Sequence, residues 1–487
     1  MSDETAAYAR PDSTSAEPHP ARWRILSVTL VVGFMSLLDV SIVNVAIPSM
    51  QKGLETSSGT IQWVVSGYAL AFGLTLVAGG RLGDAYGRRT LMLIGLAGFI
   101  VSSAAVGLAP DAGLVIVARL VQGATAGLLT PQNTGLIQQL FSGAERARAF
   151  GLFGFTVSVS SAAGPVIGGL IIAAAGEESG WRWLFLINVP IGLAAMLGVA
   201  KLVPKRPKSA VAQGGKQIDV IGAGLLGLTV LALLVPVVQL EAGKRWPLVA
   251  LVLVPAFAWL FFRWEARLSA TGRPPLLDIQ VLRGIPGYVN GLAVGALYFT
   301  GFTGLLLVFS VYLQTSQGFT PLQSGLLVMP FAVGSSIAAP LAGRLVPTIG
   351  RPLTVGAISL VMVGMAALAL LAPGRAPDSL WVVAVPTLFV AGLGGGAVVS
   401  PNITLTLDSV PVSMAGAAGG ALQTGQRIGA SIGAALLMTA YQLALASVAP
   451  GQALRISLVL AIVLLTVALV MAIQAMRAAR GRSPLAT

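Results

Sequence analysis

Cysteine is absent from the 487 residues, and the one histidine, His19, lies in a polar segment near the start of the chain. These absences exclude disulfides, thiolate metal sites and histidine-based metal clusters, catalytic triads or proton relays inside a membrane. A G-x-x-x-x-G-K-[ST] sequence is also missing, which argues against an internal P-loop ATPase. We therefore expect no metal and no cofactor, and any work must draw on a gradient.

Charged residues are scarce as well. They make up 10% of the chain, against about 25% in a typical soluble domain, and apolar residues make up 55%. Apolar stretches of about 20 residues, each long enough to cross a bilayer as a helix, recur along the whole chain. This pattern predicts an all-α polytopic membrane protein. Its fourteen predicted spans lie at 24–49, 61–80, 90–109, 113–138, 148–174, 183–202, 218–240, 246–263, 286–313, 322–346, 352–372, 380–405, 412–447 and 453–476.

The formal net charge of +13 is explained by this membrane topology rather than by binding to nucleic acid. Of the 30 basic residues, 22 lie on the side that carries both termini and six lie on the other side. Arg119 and Arg427 fall inside predicted spans. The positive-inside rule therefore predicts that both termini are cytoplasmic. The excess of arginine over lysine, with abundant alanine and glycine, favours a bacterial plasma membrane.

Two loops of similar sequence divide the chain into related halves. The loops "GRLGDAYGRR" at 80–89 and "GRLVPTIGR" at 343–351 share Gly, Arg, Leu, Gly and Arg in register. A second pair of similar segments is "LLTPQN" and "VVSPNI". Related halves around a central site are a recurrent transporter architecture. The predicted domains are a disordered cytoplasmic tail (1–22), a six-helix bundle (23–203), a linker with two extra spans (204–285), a second six-helix bundle (286–476) and a cytoplasmic tail (477–487).

The first loop combines flexible and charged residues. A tight turn and close helix approach are favoured by three glycines: Gly80, Gly83 and Gly87. Asp84 can accept hydrogen bonds from a neighbouring helix start or pair with Arg88. We interpret the loop as a cytoplasmic latch; the alternative is a plain topogenic loop. Pro347 replaces the aspartate in the second copy, so only the first loop should carry the charged part.

Asp39 is the only acid that we place well inside a predicted span. Burying a carboxylate costs about 2.5–3.5 kcal/mol on insertion scales, so a functional role is the first hypothesis. An apolar setting favours the protonated form, as a proton carrier needs. A structural alternative is that Asp39 only hydrogen-bonds a neighbouring helix. Whether it contacts Arg119 does not follow from the sequence.

Arg119 is the first of a stripe of polar and small residues on one face of its helix, and this face should point to the bundle interior. The stripe continues through Gln122, Gly123, Ala126 and Thr130. The alternative is an arginine that snorkels to the surface. Arg427 is either a second charge in the cavity or a snorkelling anchor. The candidate residues for a substrate cavity are Asn44, Trp63, Tyr68, Gln122 and Arg427.

Five sequence motifs, in order, resemble those of the fourteen-helix drug:proton antiporters of the major facilitator superfamily. They are "LDVSIVNVAIP" (38–48), "GRLGDAYGRRT" (80–90), "ARLVQGATAG" (118–127), "GPVIGG" (164–169) and "WRWLFLINVPIG" (181–192). The resemblance implies proton coupling through Arg119 and, for Asp39, either proton coupling or contact with cationic drugs. It also implies an antiporter motif that shapes a seal between the halves, formed by Gly164, Pro165, Gly168 and Gly169.

The expected function is therefore proton-coupled export of lipophilic or cationic small molecules, driven by the proton-motive force, by a monomer that is not an enzyme. Alternatives within transport are a symporter and an exporter of one endogenous metabolite. A membrane-embedded enzyme is disfavoured by the lack of intramembrane histidine and by the few acids. A non-transporting sensor is disfavoured by the duplicated halves.

Overall fold

The computed structural model of the chain describes residues 19–176, 178–205, 219–241, 246–271, 273 and 275–480. Every regular element in this part of the chain is a helix, as the long apolar runs predict. Most of the predicted disordered tail, and residues 481–487 of the second tail, lie outside the described residues.

The first seven helices correspond to the predicted N-terminal bundle. Their bounds are α1 (Arg22–Gly53), α2 (Ser58–Tyr86), α3 (Arg88–Leu108), α4 (Ala112–Leu140), α5 (Gly143–Ala175), α6 (Gly180–Leu186) and α7 (Asn188–Leu202). The sixth predicted span is divided between α6 and α7.

The remaining helices comprise the extra pair, a short connector and the C-terminal bundle. The extra pair and connector are α8 (Val220–Glu241), a 3₁₀ helix (Trp246–Val252), α9 (Leu253–Ala270) and α10 (Ile279–Gly284). The C-terminal bundle consists of α11 (Tyr288–Ser316), α12 (Pro321–Ile349), α13 (Arg351–Leu371), α14 (Pro377–Leu407), α15 (Ala415–Leu445) and α16 (Pro450–Arg480).

Thirteen helical segments among the described residues are long and apolar enough to cross a membrane. The predicted span at 218–240 corresponds to α8, where the apolar segment is the shorter Val220–Leu233. The all-helical polytopic architecture is therefore confirmed, whereas the number fourteen stays a prediction.

Both copies of the sequence repeat place a glycine with a positive φ between consecutive helices. Gly87 separates α2 from α3 with a φ of 95°, and Gly350 separates α12 from α13 with a φ of 65°. Both values lie in the left-handed region that glycine adopts without steric cost. These two glycines hold the same position in the two copies, so each copy uses a glycine to end one helix and begin the next.

Each bundle has its own apolar core, and a further cluster joins the two. One core belongs to α11–α16, while two neighbouring clusters fill α1–α7. The joining cluster packs Phe150 of α5 against Leu407 and Leu422 of the C-terminal bundle. It lies near the end of the bundles where α2 ends and α3 begins, which we call the Arg88 face.

The extra pair packs beside the joint between the two bundles. Helix α8 contacts α9, α2 of the N-terminal bundle and α15 of the C-terminal bundle. Side chains from all of these regions meet in one small apolar cluster, which contains Val77, Phe261, Leu276 and Ala421. The extra helices therefore lie against the helices that connect the bundles.

An acid near the end of a candidate span is buried as well, although Asp39 remains the acid that lies well inside a described span. Glu265 of α9 is 1% exposed and belongs to the span Val249–Ala270, which extends beyond the predicted end at residue 263. The sequence "RWEAR" at 263–267 reads as a polar surface segment, and this is why the prediction ended too early.

Glu265 meets Asp219, which lies at the start of α8. The Glu265 carboxyl accepts the Leu277 N–H at 2.9 Å, and Asp219 accepts the Gly222 N–H at 2.8 Å and the Trp264 indole N–H at 2.9 Å. The side chains of Asp219 and Glu265 contact each other, and each has one buried oxygen without a donor. A proton shared between the two carboxyls satisfies both oxygens, because two ionised carboxylates in contact would repel each other.

We expect Glu265→Gln to preserve the thermal stability of the protein in detergent. The glutamine amide can accept the Leu277 N–H and donate to Asp219, so no buried group loses its partner. Glu265→Leu leaves the Leu277 N–H and one buried oxygen of Asp219 without a partner, at a cost of about 1–3 kcal/mol, and should lower the melting temperature. Equal melting temperatures for the two variants would contradict the shared-proton arrangement.

Candidate functional site

Asp39 and Arg119 form a buried ion pair inside the N-terminal bundle. Oδ2 of Asp39, on α1, lies 2.5 Å from Nη1 of Arg119, on α4, and each residue is 1% exposed. The polar stripe of α4 therefore faces the bundle interior. Because its guanidinium is enclosed, Arg119 does not extend to the membrane surface as a snorkelling arginine would.

Two amides complete the environment of the carboxylate. Gln122 and Asn188 both donate to Oδ1 of Asp39, at 3.0 and 2.9 Å, and Arg119 donates to the side-chain oxygen of Gln122 at 2.8 Å. Gln122 also donates to the hydroxyl of Ser103 at 2.6 Å. Side chains from α1, α3, α4 and α7 thus form one network, and Asp39 accepts one charge-assisted and two neutral hydrogen bonds.

Asn188 and Ser103 were not predicted as site residues. Asn188 belongs to the motif at 181–192, where its position as the first residue of α7 resembles an ordinary helix start. The feature of the sequence that could have identified Asn188 is its polar side chain between apolar neighbours, in "FLINVPIG". A serine in an apolar helix gives no such signal, because it commonly bonds to its own backbone.

An aromatic pair on α2 lies between two cations. The guanidinium carbon of Arg119 is 4.1 Å from the Tyr68 ring centroid, and the Tyr68 and Phe72 rings stack with centroids 6.1 Å apart. On the other side, the guanidinium carbon of Arg427 is 4.9 Å from the Phe72 centroid. Arg427 belongs to α15 of the C-terminal bundle, so this row of side chains crosses from one bundle to the other.

The cavity candidates occupy different environments. Tyr68 and Gln122 are fully buried within the Asp39 network, whereas Arg427 is exposed and Trp63 is 36% exposed. The side chain of Asn44 lies outside the described residues. The structure therefore brings Tyr68 and Gln122 to the proton-site candidate, and leaves Arg427 and Trp63 accessible.

Gly164 of the "GPVIGG" motif lets α5 approach α1 closely. A Cβ at Gly164 would overlap Ser41, whose hydroxyl donates to the Ser161 carbonyl at 2.8 Å. Ser41 lies two residues after Asp39, so this part of the motif positions the helix segment that carries the carboxylate. The contact lies within the N-terminal bundle rather than between the bundles.

The two other glycines of the "GPVIGG" motif have different surroundings. Gly168 is buried, while Gly169 has open space where a Cβ would lie. The side chain of Pro165 lies outside the described residues. The predicted role of the motif as a seal between the halves stays a prediction.

The first repeated loop holds the start of a helix from the other bundle. The Asp84 carboxylate accepts the N–H groups of Gly416 and Ala417 at 3.2 and 3.0 Å, and pairs with Arg88 at 3.0 Å. Arg88 also donates to the Val412 carbonyl at 2.9 Å. Both contacts considered for Asp84 are therefore present, and its negative charge meets the positive end of the α15 dipole.

The first glycine of each repeated loop allows close contact between the bundles. A Cβ at Gly80 would overlap the backbone of Gly416, and a Cβ at Gly343 would overlap the backbone of Gly151. These are equivalent positions in the two copies, so the repeat builds two related contacts. A Cβ at Gly83, in contrast, would meet the Gln132 side chain within its own bundle.

The second contact is charged too, although its charges come from outside the repeated loop. Arg146 at the start of α5 pairs with Asp408, which follows α14. In addition, Gln138 donates to the Leu407 carbonyl at 3.0 Å. The second repeated loop itself carries Pro347 in place of the aspartate, and the carboxylate of this contact comes from Asp408 outside the loop. Together these contacts join the bundles at the Arg88 face.

Two helical bundles built from a repeated sequence and joined at one face are a recurrent architecture of membrane transporters. The sequence model of the Major Facilitator Superfamily matches residues 29–434. The chain belongs to this superfamily and is a multi-pass membrane transporter.

Similar proteins include antibiotic transporters of Streptomyces. The chain is 36% identical to the "Probable actinorhodin transporter" of Streptomyces coelicolor, over 88% of this chain and 75% of that protein. It is 31% identical to the "Tetracenomycin C resistance and export protein" of Streptomyces glaucescens, over 89% and 78%. A human organic anion transporter of known structure, 17% identical, aligns over 93% of this chain and 100% of its own with a TM-score of 0.67. This last likeness shows the fold alone.

Removal of the Asp84 charge should loosen the joint at the Arg88 face. Thr134 of α4 is buried where a Cβ on Gly419 of α15 would lie 2.8 Å from its hydroxyl. Because the chain has no cysteine, Thr134→Cys provides a single thiol that a maleimide reaches when this face opens. In this background we expect Asp84→Asn to accelerate labelling about ten-fold, since charge-assisted hydrogen bonds are lost.

Asp111→Asn is the matched control for this labelling experiment. Asp111 also caps a helix, accepting the Leu114 N–H at 3.0 Å, but it lies at the opposite end of α4 from the joint. Its substitution should leave the labelling rate unchanged. If Asp84→Asn labels no faster than Asp111→Asn, then the Asp84 carboxylate does not hold this face closed.

Proposed function

We propose that this transporter is a proton-coupled antiporter that exports lipophilic drugs, antibiotics or related small molecules by alternating access. Relatives named for antibiotic transport, resistance and export support small-molecule export. The observation that carries the proton coupling is the buried pair of Asp39 and Arg119. A carboxylate enclosed with a cation and amides gains or loses a proton only when that network rearranges.

Protonation of Asp39 is the driving step in this scheme. In the described state Asp39 pairs with Arg119 and accepts hydrogen bonds from the two amides. A proton on Asp39 cancels its charge and leaves Arg119 buried without a counterion, which costs about 3–5 kcal/mol unless the helices move. Protonation therefore favours a different arrangement of α1 and α4, and loss of the proton restores the pair.

Helix α2 connects this step to the joint between the bundles. Its Tyr68 ring lies against the Arg119 guanidinium, and the same helix carries Gly80 and Asp84 at the Arg88 face. A movement of Arg119 that displaces Tyr68 would shift α2 as a rigid element. The contacts of α2 with α15 are then the contacts that open and close.

The energy of one proton is sufficient for useful export. One charge that crosses 100 mV gains about 2.3 kcal/mol, so a proton-motive force of roughly 150 mV supplies about 3.5 kcal/mol. Because about 1.4 kcal/mol corresponds to a ten-fold ratio, one proton supports a gradient of roughly a few hundred-fold for a neutral substrate.

The charge distribution supports a bacterial plasma membrane location with the Arg88 face on the cytoplasmic side. In this orientation the described state is joined on the cytoplasmic side, and the extrusion of substrate takes place toward the other. The scheme needs protons and the membrane potential, and it requires no cofactor, no metal and no second copy of the chain.

Asp39→Asn should abolish proton-driven efflux. A susceptibility panel in an efflux-deficient bacterial host first identifies a substrate of the wild-type protein. Efflux of that substrate from proteoliposomes with an imposed pH gradient is then measured for the wild type, Asp39→Asn and the control Asp378→Asn, whose acid lies in the first turn of α14. Asp378→Asn should transport normally, and full gradient-driven efflux by Asp39→Asn would refute the assignment.

A double variant separates coupling from stability. Asp39→Asn alone leaves Arg119 unpaired and should lower the melting temperature. Adding Arg119→Gln removes the unpaired charge and should restore most of that stability, while proton-driven efflux stays lost. Recovery of gradient-driven efflux in the double variant would show that the protein couples to protons elsewhere.

A further inference from the structure

Arg427 faces the space between the bundles rather than lipid. At about 100° per residue, its position on α15 lies within about 20° of Gly416 and Gly420. Both of these glycines pack closely against α2 of the N-terminal bundle. The exposed apolar residues Ile432 and Leu436 lie about 140–180° away, on the opposite side of the helix.

This arginine also lies deep in the membrane. It is the thirteenth residue of α15, about 18 Å from the start of the helix, in a hydrocarbon core about 30 Å thick. Its side chain is nevertheless exposed, while Phe72 beneath it is buried. An exposed side chain at this depth, on the face toward the other bundle, lies in an open cavity between the bundles.

The positive charge of Arg427 is not balanced by the protein. Among the described residues none forms an ion pair or a hydrogen bond with its guanidinium, which contacts the Phe72 ring. The one acid in the middle of the bundles, Asp39, is already neutralised by Arg119. The other acids of the described spans lie toward helix ends, namely Asp84, Glu145, Glu265 and Asp378. The accessible charge in the cavity is therefore positive.

We propose that Arg427, which lies against the Phe72 ring, binds the acidic group of an anionic substrate. A guanidinium binds a carboxylate or an ionised phenol through paired N–H donors, and the buried Phe72 ring beneath it holds the guanidinium in position. This inference rests on the proposed export function, and it replaces the expected cationic substrate with an anionic one. A cation would meet the unbalanced charge of Arg427 and be repelled.

An anion bound at Arg427 would be coupled to the proton at Asp39 indirectly. An anion at Arg427 does not occupy the place of a proton at Asp39, so the two do not compete for one carboxylate. Exchange must then proceed through conformation, and Tyr68 and Phe72 are the side chains that lie between the two arginines.

Two dyes with the same xanthene ring system and opposite charge test the proposal. Binding of fluorescein, an anion, and rhodamine 123, a cation, is measured by fluorescence polarisation with the full chain in nanodiscs of neutral lipid, without a gradient. The wild type should bind fluorescein more tightly. Arg427→Gln should weaken fluorescein binding about ten-fold or more without weakening rhodamine 123 binding, and Arg427→Lys should retain most of the affinity.

Arg375→Gln is the matched control, because it removes an exposed arginine between α13 and α14 and should bind like the wild type. The proposal is overturned if the wild type prefers rhodamine 123, if fluorescein does not bind, or if Arg427→Gln weakens both dyes equally. The wild-type preference needs no variant, so a misfolded variant leaves the proposal testable. If fluorescein binds through Arg427 but no pH gradient drives export, the proposed function fails while this assignment stands.

Discussion

The low dielectric of the bundle interior is the constraint on which the rest of this structure depends. A carboxylate there is tolerable when a cation and hydrogen-bond donors enclose it, and Asp39 obtains these from α4 and α7. The same network fixes how α1, α3, α4 and α7 pack. The residues that would respond to a proton therefore also hold the N-terminal bundle together, so a change of protonation cannot stay local.

The two bundles share a backbone repeat but differ in charge. Gly80 and Gly343 make equivalent close contacts with the opposite bundle, and Gly87 and Gly350 each separate two helices with a positive φ. The N-terminal bundle, however, contains an enclosed ion pair, whereas the C-terminal bundle presents Arg427 alone to the cavity. Repetition thus preserved the features needed for a movable joint, while the central charges diverged. This division separates the proton site from the substrate site that we propose.

Much of this architecture was predictable because its causes act locally along the chain. The apolar length of a span is set by bilayer thickness, and a charge such as Asp39 or Arg119 within a span is conspicuous because its desolvation is costly. The glycines of the repeated loops were predictable for a similar reason, because a sharp turn or a close contact requires them. The charge on Asp84 suggested a helix-start partner, and α15 provides it.

The remaining features depend on contacts between distant segments. Asn188 reaches Asp39 across 149 positions of the sequence, and Asp408 reaches Arg146 across 262. Glu265 is buried only because Asp219 and Leu277 come to it from other segments, so its surroundings in the sequence indicate a surface position. The sequence shows which residue types are costly to bury, but only the packing of the helices shows which partners stabilise them.

The row of side chains from Arg119 to Arg427 connects the buried ion pair of the N-terminal bundle to the C-terminal bundle. Each guanidinium lies against one ring of the stacked pair Tyr68 and Phe72, and such contacts contribute about 0.5–2 kcal/mol each. That energy is small beside the cost of an unpaired buried Arg119, so the stack cannot hold the bundles in place against protonation. It is large enough to bias which arrangement of α2 and α15 prevails. An occupant at Arg427 would change this bias, and so a substrate and a proton can influence each other without sharing a residue.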